Sequence, residues 1–140
     1  MNYKTTKMKK LVCVLMLCVG TLVTAQETKN QEQGVFEFEK EIVDYGQISQ
    51  HEDGHREFKF TNIGESPITI TNIKSSCGCS VAKKPSKPIM PGEKGVIRVN
   101  YATNRLGGFS KTFIIFSNAS EKNKKIRIKG MVLNSVITQN

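Results

Sequence analysis

Apolar and polar residues alternate with a period of two along most of the chain after residue 35. The clearest runs are HREFKFTN (55–62), GVIRVNY (95–101) and KIRIKGMVL (125–133). In an extended strand this alternation places the apolar side chains on one face and the polar ones on the other. The run TFIIF (112–116) is apolar on both faces, as expected of a strand in the middle of a sheet.

Two shorter alternations lie earlier, at residues 36–38 and 42–46, the second ending at Gly46. In PITITNI (67–73), Ile68 and Ile70 share one face, whereas Ile73 is out of step by one residue. A shift of this kind predicts a β-bulge or a strand end near Asn72, because one extra residue reverses the side-chain direction.

Residues typical of turns separate these runs, at 53–54, 62–67, 90–95, 104–108 and 117–123. No segment after residue 35 has the apolar spacing of a long helix. About seven short strands in about 100 residues are typical of an all-β, immunoglobulin-like antiparallel β-sandwich. Since the chain has no Trp, the Cys–Trp–Cys core of antibody domains is absent.

The first 25 residues have the layout of a signal peptide. Four lysines precede an apolar run at 11–25, which is too short to span a bilayer and ends in Val23 and Ala25, so we expect cleavage after Ala25. Translation can start at Met1 or at Met8. Neither Cys13 nor Cys18 follows a small residue, which argues against lipid attachment.

Export to the periplasm or cell envelope follows from this leader. The remaining chain divides into a flexible linker (26–34), one domain (35–133) and a polar tail (134–140), with no second apolar run of membrane length. We therefore expect no transmembrane segment in the mature chain.

The positive charge does not predict nucleic-acid binding. The whole chain carries a net charge of +9, but the leader holds four of the 21 basic residues, so the mature chain has 17 basic and 12 acidic residues, or +5. Five basic residues are close together at Lys122, Lys124, Lys125, Arg127 and Lys129. Their alternation with isoleucine indicates the solvated face of a strand, and an acidic glycan or partner is the alternative.

The sequence HEDGH (51–55) matches the H-E-x-x-H pattern of zinc proteases. That motif needs a helix to bring both histidines to one face, whereas Asp53-Gly54 is typical of a turn. We interpret His51 and His55 as exposed hairpin residues, able at most to form a weak metal site.

Asn118-Ala119-Ser120 spells a glycosylation sequon, but a turn at the end of a strand explains it better. No catalytic constellation is predicted.

The sequence SSCGCS (75–80) holds the two cysteines of the mature chain. In an extended strand Cys77 and Cys79 share a face with Cα atoms about 6.6 Å apart, and Gly78 can shorten that distance by bending. A disulfide would add only about 1.6 kcal/mol in a three-residue loop. Cu(I) binding or redox chemistry by two thiolates and simple packing of two small residues are the other interpretations.

The chain resembles the exported bacterial family known as domain of unknown function 1573, over about residues 36–133, and through it the Hydin and major-sperm-protein group. The matching elements are Phe36, Phe38, Asp44-Tyr45-Gly46, Phe58, Phe60, Asn62, Gly64, Pro67, Ile68, Ser76-Cys77-Gly78-Cys79, Pro88-Ile89, Pro91-Gly92, Ile97, Val99, Gly107, Phe109, Lys111, Ser117-Asn118 and Gly130. Ser80 departs from the family's usual threonine. The resemblance implies a β-sandwich in the envelope, with no known activity and no catalytic residue to transfer.

Two functions remain open at this point. The first is a non-catalytic module, without cofactor, that binds another envelope protein or has a structural role. The second is a thiol-based accessory protein that uses Cys77 and Cys79 for Cu(I) or for redox exchange.

Overall fold

The computed structural model describes residues 33–134, which form eight β-strands. The predicted signal peptide, most of the predicted linker and nearly all of the tail lie outside the described residues. The strands are β1 (Phe36–Phe38), β2 (Ile42–Ser49), β3 (His55–Asn62), β4 (Ile70–Ser75), β5 (Ser80–Lys83), β6 (Lys94–Tyr101), β7 (Gly107–Ser117) and β8 (Asn123–Leu133). Within 33–134, no helix is long and apolar enough to span a membrane.

The strands form two four-stranded sheets. Sheet I has the order β1-β3-β6-β5 with antiparallel pairing throughout, and sheet II has the order β2-β8-β7-β4. In sheet II, β2 pairs with β8 in parallel and the other neighbours are antiparallel. The prediction of an all-β immunoglobulin-like sandwich is confirmed, with eight strands where about seven were expected and with one parallel pair.

The core lies between the sheets and is built by the alternating faces that the sequence predicted. Phe58 and Phe60 of β3, Ile97 of β6 and Phe113 of β7 are at most 1% exposed. The central position expected for TFIIF is confirmed, because β7 lies between β8 and β4. The burial of these side chains is the main source of stability in a sandwich of this kind.

Two bulges adjust the pairing of sheet II. The register between β4 and β7 shifts between Ile70 and Asn72, at the position where the period-two pattern broke. A second shift lies between Asp44 and Gln47 of β2. Gly46 has φ = 63°, a conformation open to glycine, so the strand bends there and continues to Ser49. The strand end expected at Gly46 is therefore wrong.

A buried asparagine ties the loops around β3 together. The Oδ1 atom of Asn62 accepts hydrogen bonds from the N–H groups of Val35 (3.2 Å) and Gly64 (3.0 Å). Its Nδ2 group donates to the carbonyls of Ser66 (2.8 Å) and Ile89 (2.9 Å). Because the side chain is 0% exposed, these four bonds replace all of its contacts with water.

Candidate functional site

The two cysteines lie where the chain passes from one sheet to the other. Residues 76–79, which we name the crossover segment, connect β4 at the edge of sheet II to β5 at the edge of sheet I. The Sγ atoms of Cys77 and Cys79 are 2.01 Å apart, as in a disulfide, and their Cα atoms are 5.4 Å apart. The segment is a turn, which explains why the Cα atoms are closer than in an extended strand.

The two cysteines differ in exposure. Cys79 is 8% exposed and belongs to the hydrophobic core, whereas Cys77 is half-buried and packs against it. Gly78 between them is exposed. A Cβ atom on Gly78 would meet no atom within 4 Å, and its φ is not positive, so the backbone here does not require glycine. The position that a side chain at Gly78 would occupy is therefore open space.

Two serine hydroxyls form a short hydrogen-bonded chain beside Cys77. The Oγ atoms of Ser75 and Ser80 lie 2.5 Å apart, and Ser80 Oγ lies 3.7 Å from Cys77 Sγ. The backbone N–H of Cys77 donates to Ser75 Oγ over 3.4 Å. Either hydroxyl of this pair can donate to the other, and where Ser75 donates to Ser80, the proton of Ser80 can point at the Cys77 sulfur.

Backbone hydrogen bonds hold the crossover segment in place independently of the disulfide. Ser76 donates its N–H to the Thr112 carbonyl (2.9 Å), and the N–H of Thr112 donates to Ser76 Oγ (3.2 Å). On the other side, Ala102 donates its N–H to the Cys79 carbonyl (2.9 Å). One end of the segment is thus fixed to β7 and the other end to the residue that directly follows β6.

Metal binding by the cysteines requires the bond between them to be broken, because each sulfur is occupied by the other in this structure. No group of three or more His, Cys, Asp or Glu side chains among residues 33–134 could hold a metal ion. While Cys77 and Cys79 are joined by the disulfide, this arrangement suits two-electron exchange at the S–S bond better than it suits binding of a metal ion.

The HEDGH segment is a turn. His51 has φ = 68°, and Asp53 Oδ1 accepts hydrogen bonds from the backbone N–H of His55 (3.0 Å) and lies 2.7 Å from His55 Nδ1. Both hydrogen bonds lower the pKa of Asp53, and the bond from the His55 backbone N–H has the larger effect. Both histidines are exposed. The turn joins β2 of sheet II to β3 of sheet I, so it is a connection between sheets, and the expected hairpin is wrong in that respect.

The sequon asparagine serves the turn between β7 and β8. Asn118 Oδ1 accepts from the N–H of Thr69 (2.7 Å), and its Nδ2 group donates to the Pro67 carbonyl (3.0 Å). These bonds join that turn to the segment before β4, as the turn interpretation requires.

The basic residues of β8 divide between two environments. Lys125, Arg127 and Lys129 are exposed, and Lys129 lies 3.2 Å from Asp44. Lys124 instead has a side chain only 14% exposed, with Nζ 2.6 Å from Glu41 and 3.0 Å from Glu121. The hydrogen bond to Glu41, more than any other contact, raises the pKa of Lys124. Lys124 is therefore an ion-paired anchor and does not belong to the solvated face expected for it.

A basic groove on sheet I was not predicted from the sequence. Residues after β5 and residues of β6 line it. Its basic residues are Lys84, Lys87, Lys94 and Arg98. Arg98 pairs with Glu57 (3.0 Å), and no carboxylate lines the groove. The available signal was the density of lysine at residues 83–87.

Strand β5 borders this groove and has a free edge. It pairs with β6 alone among the described strands, and its Val81 side chain is 66% exposed. Tyr101 is paired with Ser80, but its N–H points to the other side of β6, where it donates to the Gly54 carbonyl. The N–H of the next residue, Ala102, points toward β5 and donates to the Cys79 carbonyl. Because backbone groups alternate along an antiparallel strand, Ser80 and Ala82 direct their N–H and C=O groups away from β6.

The fold is shared with solved structures of low sequence identity. A protein of unknown function from Porphyromonas gingivalis W83 is 19% identical with a TM-score of 0.62, over 71% of this chain and 48% of that one. The chain thus spans about half the length of that protein. The ASH/PapD-like domain 7 of human CEP192 is 6% identical with a TM-score of 0.62, over 79% of this chain and 93% of the domain.

A third similar structure is the CsuC–CsuE chaperone–tip adhesion subunit pre-assembly complex of archaic Csu pili from Acinetobacter baumannii. It is 14% identical with a TM-score of 0.52, over 70% of this chain and 57% of that one. At these identities the likeness establishes the fold alone. No protein of curated function has significant sequence similarity to the chain.

The family resemblance inferred from the sequence is confirmed. Residues 36–132, well over half of the chain, match the family model described as protein of unknown function (DUF1573), and the chain belongs to this family.

Proposed function

We propose that this protein is an exported, non-catalytic immunoglobulin-like module that works in the cell envelope by binding another protein. The observation that supports this most directly is the free edge of β5. An extended segment of a partner can add a strand there, because Val81 and Lys83 are exposed and the backbone groups of half-buried Ala82 point away from β6.

The basic groove beside that edge defines the chemistry of the partner. Lys84, Lys87 and Lys94 form no ion pair with another residue of 33–134. Lysines near an edge disfavour pairing with a second copy of a basic chain and favour an acidic segment. We therefore infer that the bound segment is extended and carries Asp or Glu.

Photocrosslinking in the native cells tests this proposal. A photoreactive amino acid at Val81 is expected to give a discrete adduct with another protein, whereas the same group at Lys59, exposed on β3 of the same sheet, gives none. Ala82→Pro removes an outward N–H without removing one bonded to β6, and it is expected to abolish the adduct. Equal labelling at both positions, or an adduct unaffected by Ala82→Pro, would contradict the proposal.

Export is tested separately. Expression of the full chain followed by cell fractionation and N-terminal sequencing is expected to yield a periplasmic or envelope protein that begins at Gln26. A cytoplasmic protein that retains residues 1–25 would refute the envelope location while leaving the binding surface open to test.

A second candidate function is a thiol-based accessory role in redox exchange or Cu(I) binding. The specific observation in its favour is that one member of the Cys77–Cys79 pair reaches the surface, since Cys77 is only half-buried and Gly78 beside it is exposed. Intact mass before and after reduction and alkylation, with metal analysis of the same sample, distinguishes a bridged, a reduced and a metal-loaded pair. A pair that stays bridged under reducing conditions and binds no copper would eliminate this function.

A further inference from the structure

We propose that Cys77 and Cys79 form a reversible dithiol–disulfide exchange site in which Cys77 makes the mixed disulfide with the partner and Cys79 resolves it. This inference rests on the second candidate function and is independent of strand binding at β5. The partner is a dithiol or disulfide in an exposed segment of another protein.

The difference in exposure assigns the two roles. Exchange requires a thiolate to approach a sulfur in line with the bond that breaks, so the accessible sulfur is attacked. Cys77 is half-buried at the surface, whereas Cys79 is 8% exposed within the core. Gly78 is exposed and the space of its missing Cβ is open, so a partner's backbone can come close to the crossover segment next to Cys77.

The surrounding hydrogen bonds keep the site assembled when the disulfide opens. Ser76 is bonded to Thr112 on one side, and the Cys79 carbonyl is bonded to Ala102 on the other. Because these bonds do not involve sulfur, the reduced cysteines remain near a Cα separation of 5.4 Å, which is within the range that a disulfide spans. Re-formation of the bond is then an intramolecular step between groups already held together.

The serine pair makes Cys77 the nucleophile of the reduced form. When Ser75 donates its proton to Ser80, the hydroxyl proton of Ser80 is available to Cys77 Sγ, 3.7 Å away. A hydrogen bond donated to a thiolate stabilises the charged, reactive form. Ser80, at 4% exposed, is held in place for this contact and acts as a positioning residue.

The exchange balances in atoms and electrons. A thiolate of the partner dithiol attacks Cys77 Sγ, the new S–S bond forms, and the Cys77–Cys79 bond breaks with its electron pair leaving on Cys79, which takes up a proton. The second thiolate of the partner then attacks the partner sulfur that is bonded to Cys77. The partner's own disulfide forms, and Cys77 leaves as a thiolate. The partner loses two electrons as it becomes a disulfide, and the cysteine pair gains them. The reverse sequence oxidises Cys77 and Cys79.

Single-cysteine variants of the mature chain (residues 26–140) test the assignment. Cys79→Ser leaves Cys77 free, and Cys77→Ser leaves Cys79 free. We expect Cys77 to react with an aromatic disulfide reagent at least about tenfold faster than Cys79, as its greater access requires. With glutathione disulfide, the Cys79→Ser variant should accumulate one bound glutathione, while the reduced wild-type protein should re-form its own bond without a lasting adduct. Equal or reversed rates would overturn the assignment.

The reduced wild-type protein gives the second readout. Dithiothreitol is expected to reduce the pair under native conditions, with an unchanged far-UV circular dichroism spectrum and a melting temperature lowered by no more than about 10 °C. A disulfide that resists reduction until the domain unfolds is purely structural and overturns the proposal. If a single-cysteine variant fails to fold, limited alkylation of the reduced wild-type protein, located by fragment-ion mass spectrometry, decides whether Cys77 is labelled first.

A serine variant tests the positioning role. Ser80→Ala, made in the Cys79→Ser background, should move the midpoint of the pH–rate profile for the Cys77 reaction to higher pH, and Ser80→Thr should restore it. An unchanged profile in a folded Ser80→Ala protein would exclude the hydroxyl contact. These measurements use small reagents, so they stand whether or not β5 binds a partner strand.

Discussion

The hydroxyl of Tyr45 donates a buried hydrogen bond of 2.7 Å to the backbone carbonyl of Gly54. Tyr45 lies on β2 of sheet II, and Gly54 directly precedes β3 of sheet I, so this bond fixes the connection between the sheets. The same carbonyl accepts the N–H of Tyr101 over 3.1 Å. The ring of Tyr45 packs edge-on against Phe109, with centroids 5.2 Å apart.

Removal of this hydroxyl should destabilise the domain. Tyr45→Phe keeps the ring but removes one of the two bonds to the Gly54 carbonyl, and we expect a loss of about 1–2 kcal/mol in the free energy of unfolding, measured in urea. Tyr101→Phe is the matched control, since the Tyr101 hydroxyl has no hydrogen-bond partner among the described residues and should lose less than about 0.5 kcal/mol. An equal loss of unfolding free energy in the two variants would show that the Tyr45–Gly54 hydrogen bond does not stabilise the domain.

Alkaline pH should destabilise the wild-type protein through the same residue. Burial raises the pKa of Tyr45 from 10.0 to about 12, against the opposing effect of the Arg56 guanidinium, which lies 4.2 Å from the ring centroid. Between these values the unfolded chain has lost the phenol proton and the folded chain has kept it. Stability is therefore fully present below pH 10 and falls as the pH rises toward 12, by at most about 3 kcal/mol.

Denaturation at pH 8 and at pH 11.5 checks this, with Tyr45→Phe as the reference. The difference between the two proteins should shrink, and then reverse, as the pH rises through that window. A constant difference would mean that Tyr45 ionises equally in both states.

Two glycines should respond in opposite ways to alanine. A Cβ atom on Gly54 would lie 2.0 Å from the Tyr101 carbonyl oxygen, so Gly54→Ala forces β3 and β6 apart and should cost more than about 3 kcal/mol or prevent folding. A Cβ atom on Gly78 meets nothing within 4 Å, and Gly78→Ala should change stability by less than about 0.5 kcal/mol. Thermal melting of both purified variants, or soluble yield for the first, tests the contrast. Severe destabilisation by Gly78→Ala would contradict the geometry of the crossover segment.

The loops around β3 should depend on Asn62. Asn62→Ala removes four hydrogen bonds, two accepted from N–H groups and two donated to carbonyls, and we expect a loss of about 3–4 kcal/mol in urea denaturation. Asn62→Asp can accept from the N–H groups but cannot donate to the carbonyls when ionised, so it should be at least as harmful. Asn72→Ala, an exposed change on β4, is the control and should lose less than about 1 kcal/mol.

The strands could be predicted because most of them bury only one face. In β3, β6 and β8 the apolar residues fall on alternate positions, and that period is set by backbone geometry rather than by neighbours. β5 has four residues, SVAK, which are too few to show a period. The parallel pairing of β2 with β8 joins segments far apart in sequence, and local patterns carry no information about such a pairing.

The site was visible in part. The spacing of Cys77 and Cys79 was evident, but their unequal burial and the crossover between sheets depend on tertiary packing. Asn62 had a readable signal, because it lies in phase with Phe58 and Phe60 on the core-facing side of β3, where a polar residue needs buried partners. The pairing of Ser75 with Ser80 follows from the turn and could not be seen in the sequence.

The parallel ladder between β2 and β8 also dictates when the domain can finish folding. Residues 42–49 find their only sheet neighbour among the described strands in residues 123–133, so a chain emerging from a ribosome or a translocation channel must wait for its last strand before sheet II closes. Until then β2 is not held in sheet II, so its apolar side is not stably buried. A truncated or stalled chain therefore exposes an apolar surface that chaperones and proteases can bind.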